Sequence, residues 1–389
     1  MEREIVTAKK FGDPGMVRKR SMKRKVKLFK AIPANNTLQK EIFFILAAVV
    51  LVLGTLNIAQ ARGLLIPQQP QLVIIDNTID LSSMTLEQKI AQMVVVHGGI
   101  WNLEPWKNMQ LGGIHLFALE REELYIDTIG QFQNEARIPF FVSIDLEGCW
   151  NPLANFRESV SVSEITEVGQ AFQKGSEEGE YLKRLGFTIN FAPVVDLDDQ
   201  IWGCRSFPGD ETKVASLAEA YVLGLQNEEM ISTAKHYPGK TLVVRDPHKY
   251  LVVAEIADQD IYPYQELADN VKSVMVSHVI VSGAVDSEGL PSVVSSTAIS
   301  ALKKNFAGLI ISDEINMLGL KNFYSSQDEM YLAVFKAGND LVLNFNEDPN
   351  EIKHMIEVVA EAVEGGEIPE EQIDGSVRKI LELKGFTVS

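Results

Sequence analysis

An aspartate two residues before a histidine, Asp246-Pro247-His248, is the pair in this chain best suited to moving a proton. In an extended loop both side chains leave the same side of the backbone, so the carboxylate can hold the imidazole, set its tautomer and raise its basicity. Pro247 fixes one backbone angle between them. Upstream, the β-prone run 231–234 delivers Lys235 and His236 to its own end, where Pro238 and Gly239 stop regular pairing and open a loop. A buried strand end has no packing reason to present Lys beside His. Acids and other chemically able groups follow further apolar runs: Asp145 and Glu147, Asp196 and Arg205, Ser277 and His278, Asp313 and Glu314.

Those runs are the elements that must position the chemistry. They cover 93–96, 113–117, 140–144, 188–195, 231–234, 274–279, 309–311 and 340–343, nearly continuous in Val, Ile, Leu and Phe. That is the pattern of parallel strands buried on both faces. Amphipathic helical patterns separate them at 121–135, 166–185, 213–227, 261–271, 297–304, 329–337 and 351–364, and another at 370–383 closes the chain. Thr85 is a candidate N-cap for a helix opening the body. Eight alternations predict an α/β fold, a (β/α)8 TIM-type barrel, with an open six-stranded sheet as the alternative if two runs are not strands. In a barrel, functional groups gather just after the strands, where these acids and bases fall.

With 46% hydrophobic and 23% charged residues the chain is of ordinary globular composition. Residues 1–40 hold twelve Lys and Arg against three acids, whereas the remainder holds 24 against 50. An acidic body gives no electrostatic encouragement to nucleic acid, so none is expected as a partner. Residues 42–59 carry no charge, and as a helix they would be roughly 27 Å long, close to the apolar thickness of a bilayer. The reading is a basic cytoplasmic tail over 1–41, a transmembrane anchor or uncleaved signal over 42–61, a Pro- and Gln-bearing linker over 62–82, and a folded body over 83–389. The body then stands outside the cell membrane on a single pass, or is secreted if cleaved after Ala61. The two cysteines, Cys149 and Cys204, are too few for a disulfide framework and lack zinc-ligand spacing; export permits one bond between them, but spacing does not decide whether they meet. No phosphate loop, dinucleotide fingerprint or metal cluster is present in the sequence, so no cofactor or metal is expected.

Seven blocks, in order, carry a resemblance: the Thr-Leu-Glu-Gln-Lys-Ile-Ala-Gln-Met that starts at Thr85, Ser143-Ile-Asp-Leu-Glu-Gly148, Asn190-Phe-Ala-Pro-Val-Val-Asp196, Cys204-Arg-Ser-Phe-Pro-Gly-Asp210, Ala234-Lys-His-Tyr-Pro-Gly239, Val274-Met-Val-Ser-His278 and Ile311-Ser-Asp-Glu-Ile-Asn-Met317. Residues 84–389 resemble glycoside hydrolase family 3, in its single-barrel β-N-acetylhexosaminidase branch. The resemblance implies a retaining, exo-acting enzyme on terminal β-linked amino sugars of cell-wall or related glycans. It implies Asp313 as nucleophile, Asp246 and His248 as the acid/base pair, and Asp145, Arg205, Lys235 and His236 as the residues that hold the terminal sugar. The chemistry agrees: a carboxylate stabilises positive charge at the anomeric carbon, and one group that switches between acid and base serves both half-reactions.

Two loops depart from the family pattern. After Gly148, where Gly-Arg-x-x-Arg is usual, stand Cys149-Trp150-Asn151-Pro152-Leu153; after Gly239, where His-Gly-Asp-Thr is usual, stand Lys240-Thr241-Leu242-Val243. The altered loops leave open a catalytically silent glycan-binding envelope protein, and a histidine acid/base leaves open a β-glycoside phosphorylase. His278 reads as support or core rather than a ligand contact, and His97 and His115 as buried and satisfied. Trp150 and Trp202 read equally as sugar-stacking rings and as ordinary packing.

Overall fold

The structure, a computed structural model, describes residues 45–46, 72–197, 199–241, 246 and 249–389. The chain divides into two compact units, 1–68 and 69–389. Of the first, Ile45 and Leu46 are described, both helical and exposed. Among the described residues no helix is long and apolar enough to cross a membrane; apart from those two residues, the tail and the expected anchor lie outside them.

In the second unit eight parallel strands pair in sequence order. They are β1 (Val94–His97), β2 (Gly113–His115), β3 (Phe141–Ile144), β4 (Ile189–Asn190), β5 (Ile231–Tyr237), β6 (Ser273–Val276), β7 (Leu309–Ser312) and β8 (Val342–Leu343). β8 pairs with β1, and Ser312 N to Leu341 O (2.9 Å) and Leu341 N to Ile310 O (3.1 Å) join β7 to β8, so the ring closes. The expected (β/α)8 barrel is observed. Its strands are buried along both faces, which is why they read as unbroken apolar runs. The run 188–195 gives a shorter strand than expected because Pro193 has no N–H to donate.

Helices follow the strands outside the ring, among them Glu122–Gln133, Val168–Leu185, Glu211–Asn227, Gln327–Ala337 and Pro349–Glu364. The body opens as expected: Thr85 Oγ1 accepts from Gln88 N (3.2 Å) and Gln88 Oε1 accepts from Thr85 N (2.9 Å), capping Leu86–Gln92. A further helix, Leu103–Met109, falls where the sequence reading has none; Pro105 lies in its first turn, where no backbone donor is needed.

The stretch 62–82 is a correction. From Leu72 onward it belongs to the folded body: Ile74–Ile75 and Thr78–Ile79 pair antiparallel, and Thr387–Val388 from the chain end adds a third strand. Ile79 and Leu81 are buried, and burying such residues favours the folded path over a free tether. Residues 62–71 lie outside the described residues.

At the N-terminal end of the ring the interior is filled. Ser143, Thr233 and Ser273 are fully buried; Thr233 Oγ1 and Ser273 Oγ are 2.7 Å apart, and Ser143 Oγ lies 3.1 Å from His115 Nδ1. Below Ser143 by one alternation lies Phe141, with Lys384 Nζ 4.9 Å from its ring centre. Lys384 donates to Gln92 Oε1 (2.9 Å) and Gly112 O (2.8 Å), and burial pushes its ammonium well below the usual lysine range.

Candidate active site

The C-terminal ends of the strands surround a cavity of about 290 Å³. Asp145 leaves the end of β3 and enters it. Its Oδ1 accepts from Lys235 Nζ at 2.5 Å, and its Oδ2 lies 3.5 Å from His115 Nε2. Burial by itself would raise the Asp145 carboxyl; the charge of Lys235, helped by His115 and Arg205, outweighs it and holds the carboxyl at about 2. Burial likewise works against the Lys235 ammonium, but Asp145 and Glu147 keep it above the ordinary lysine value. Burial lowers His115 to about 4, so its ring is neutral at pH 7.

Glu147 is the second acid of the cluster. It pairs with Lys235 through Oε1, and its Oε2 lies 2.9 Å from Arg205 Nη1. Both Glu147 and Arg205 are buried, so Arg205 is no surface ion pair. Such a desolvated set of two acids and two bases is costly to assemble without further partners, and it can make charge-assisted hydrogen bonds to a polar ligand in the cavity.

Lys235 and His236 both line the cavity although they are adjacent in a strand, where neighbours normally face opposite ways. Lys235 pairs with Met275 and Tyr237 with Val276, so His236 is the extra residue of a bulge. A bulge re-aims a side chain in this way. The Asp196 carboxylate then fixes the ring: its Oδ2 lies 2.9 Å from His236 Nδ1, and its Oδ1 accepts from His236 N at 3.2 Å. Thr241 and Tyr264 donate to the same carboxylate.

Asp313 follows β7 and lines the cavity. Its N donates to Val276 O (3.0 Å) and its Oδ1 accepts from Glu314 N (2.8 Å). It caps no helix, since the next one, Leu318–Lys321, starts after Met317. Glu314 is turned into a network of its own: Oε1 accepts from Asn316 N (3.0 Å) and Phe345 N (3.1 Å), and burial raises its carboxyl despite these bonds. His278 supports this segment, with Nε2 2.8 Å from Glu314 O, as its reading as support implies.

The loops after β3 and β4 are joined by a Cys149–Cys204 disulfide, answering the question that spacing left open. Trp150 and Trp202, beside those cysteines, both line the cavity, and the Arg205 guanidinium lies 4.3 Å from the Trp202 ring centre.

Of the seven expected site residues, Asp145, Arg205, Lys235, His236 and Asp313 line this one cavity. Asp246 is not among the lining residues; its carboxylate lies 3.0 Å from Lys249 Nζ. His248 lies outside the described residues. The described flanks of that loop are anchored: Thr241 is buried against Asp196, and the Tyr250 carbonyl lies so close to Gly319 that a Cβ there would meet it at 3.0 Å. The sequence reading did not assign Glu147 or His115 to the site. Glu147 was detectable, being two residues from Asp145 in an extended segment, and so on the same side. His115 carried no comparable signal inside its apolar run.

The sequence model of the glycosyl hydrolase family 3 N terminal domain matches residues 85–383. The β-hexosaminidase LpqI of Mycobacterium bovis is 29% identical over 272 residues, covering 64% of this chain and 69% of that protein. Among solved structures, a glycosyl hydrolase of the same family from Mycobacterium smegmatis superposes with a TM-score of 0.72 at 26% identity, over 79% of this chain and 99% of that one. A family 3 β-N-acetylglucosaminidase from a Paenibacillus species gives a TM-score of 0.70 at 28% identity, over 78% of this chain and 62% of that one.

Proposed function

The chain belongs to glycosyl hydrolase family 3, and on that premise we propose that it is a retaining, exo-acting β-N-acetylhexosaminidase that removes terminal β-linked amino sugars from cell-wall or related glycans. The observation that carries the reading is the placing of Asp313 in the same closed-ended cavity as the Asp145–Lys235–Glu147–Arg205 cluster. The cluster and His236 bind the hydroxyls of one terminal sugar, while the Asp313 carboxylate attacks its anomeric carbon. As the bond from that carbon to the leaving oxygen breaks, His248, oriented by Asp246, gives the oxygen its proton. Water then attacks the glycosyl ester, returns a proton to His248 and frees Asp313. Two displacements at one carbon restore its configuration. The role given to His248 rests on sequence.

The disulfide supports a body that matures where thiols oxidise, in keeping with an export segment at 42–61 and a membrane-anchored or secreted product. The reading is tested by incubating the protein with a chromogenic β-N-acetylglucosaminide beside Asp313→Ala. Turnover by the wild type alone is expected; no turnover on any of a panel of β-glycosides would sink it.

One observation favours a second reading, a glycan-binding protein without turnover: the Asp246 carboxylate is paired with Lys249 and does not line the cavity. Binding of the free sugar without hydrolysis would select it. A phosphorolytic variant would show a sugar 1-phosphate among the products in phosphate buffer.

A further inference from the structure

On the β1, β2 and β8 side of the mouth, aromatic rings continue out of the cavity onto the surface. Phe117 and Phe345 line the cavity and meet edge to face at 5.4 Å between ring centres. Phe117 meets His97 at 5.0 Å, and His97 meets Trp101 at 5.4 Å. The outer rings are open to solvent: Trp101 is 63% exposed and Phe117 45%. Trp101 is nonetheless held in place, because its ring lies over Gly99 so closely that a Cβ there would meet it at 2.3 Å. His97 Nδ1 is 2.6 Å from a Glu347 carboxylate oxygen, and Glu347 is half exposed beside the strip.

We propose that Trp101 and Phe117, with His97 and Glu347 between and beside them, form a binding site for the sugar rings on the leaving-group side of the cleaved bond. This rests on the cavity being the seat of the terminal sugar. An exposed indole fixed in one pose has no packing reason to stay bare, and pyranose rings offer an apolar face to stack on it and hydroxyls for a carboxylate to accept. Each ring-to-ring step along the strip is about the size of one sugar ring, and the strip starts inside the cavity, so its occupant is the rest of the same glycan. The enzyme then prefers a chain to a single sugar on a small aglycone.

The experiment compares β-1,4-linked N-acetylglucosamine disaccharide and tetrasaccharide as substrates for wild type, Trp101→Ala and Ile126→Ala. Ile126 is an exposed apolar residue on the helix Glu122–Gln133, away from the strip, and controls for loss of surface hydrophobicity. The wild type and Ile126→Ala should favour the tetrasaccharide by about tenfold in kcat/KM, and Trp101→Ala should lose that preference. Equal kcat/KM on both lengths in the wild type, or a preference retained in Trp101→Ala, overturns the proposal. Affinity of the same oligosaccharides for Asp313→Asn, with and without Trp101→Ala, gives a readout free of turnover. If no protein hydrolyses anything but the longer chain still binds tighter and Trp101→Ala abolishes the difference, the hydrolase reading fails and this site stands. If the wild type hydrolyses and shows no length dependence in either readout, this site fails alone.

Discussion

Lys235 Nζ bridges two carboxylates, accepted by Asp145 Oδ1 at 2.5 Å and paired with Glu147, whose other oxygen faces Arg205. Four charged side chains thereby hold one another in place before any sugar arrives. Removing one member leaves the others buried without compensation. Lys235→Met should destabilise the fold by about 3–5 kcal/mol, read as a shift of the urea midpoint at unchanged slope. A change under about 1 kcal/mol would mean that solvent screens the cluster.

Asp313→Asn keeps the shape of the side chain and removes the attacking charge. Turnover of an aryl β-N-acetylglucosaminide should fall by a factor on the order of 10³ or more, with the thermal midpoint near that of the wild type. If turnover instead persists at wild-type level, another carboxylate is the nucleophile, and Glu314 is the next to substitute.

Acid should unfold this protein in two successive windows. His115 is held at about 4 against an ordinary 6.5, so between those values the unfolded chain binds a proton that the folded one refuses, and stability falls as pH drops through that range. Asp145 is held at about 2 against 3.8, so its contribution is present above pH 4 and is lost as pH falls toward 2. His115→Phe should flatten the first window, worth up to about 3 kcal/mol, and Asp145→Asn the second; urea titrations at pH 7, 4 and 2.5 separate them.

The Cys149–Cys204 bond closes a loop over a sequence separation of 55. Its removal by Cys204→Ser with Cys149→Ser should lower stability by about 4 kcal/mol. Activity should fall as well, since Trp150 and Trp202 stand beside the bond at the mouth. Equal thermal midpoints with and without reductant would show that the bond carries no such constraint.

Behind the cluster, Asn190 clasps the backbone between the two acids: its Oδ1 accepts from Leu146 N (2.9 Å) and its Nδ2 donates to Leu146 O (3.1 Å). Nδ2 also donates to Tyr221 OH (3.2 Å), which donates to Glu178 Oε2 (2.6 Å). Tyr221→Phe strips a donor from a buried carboxylate and should cost about 1–3 kcal/mol. Because the clasp then loosens, KM should rise more than kcat falls; a purely structural role would change stability and leave both constants alone.

The barrel was legible because strands buried on both faces read as largely apolar runs, with Asp145 and Asp313 the first residues past β3 and β7 and Lys235 near the end of β5. Registers are less legible. The bulge that turns His236 inward depends on how β5 slides against β6, a pairing between segments about forty residues apart that no local pattern encodes. The same limit hid the contribution of His115, which becomes part of the site only when Asp145 arrives from the next strand. The sheet formed by Ile74–Ile75, Thr78–Ile79 and Thr387–Val388 joins the two ends of the body, so a Pro-rich approach read as a free tether until the far terminus was in view. For Asp246, spacing predicts a shared side with its neighbour two residues on, which lies outside the described residues, but not where the loop after β5 aims that side.

The packed layers of Ser143, Thr233 and Ser273, stopped from below by Lys384 on Phe141, turn the barrel into a cup with one doorway. If the enzyme removes terminal sugars from a polymer as proposed, a monosaccharide cut off inside the cup leaves only after the shortened polymer has let go, and each new end is captured afresh from solution.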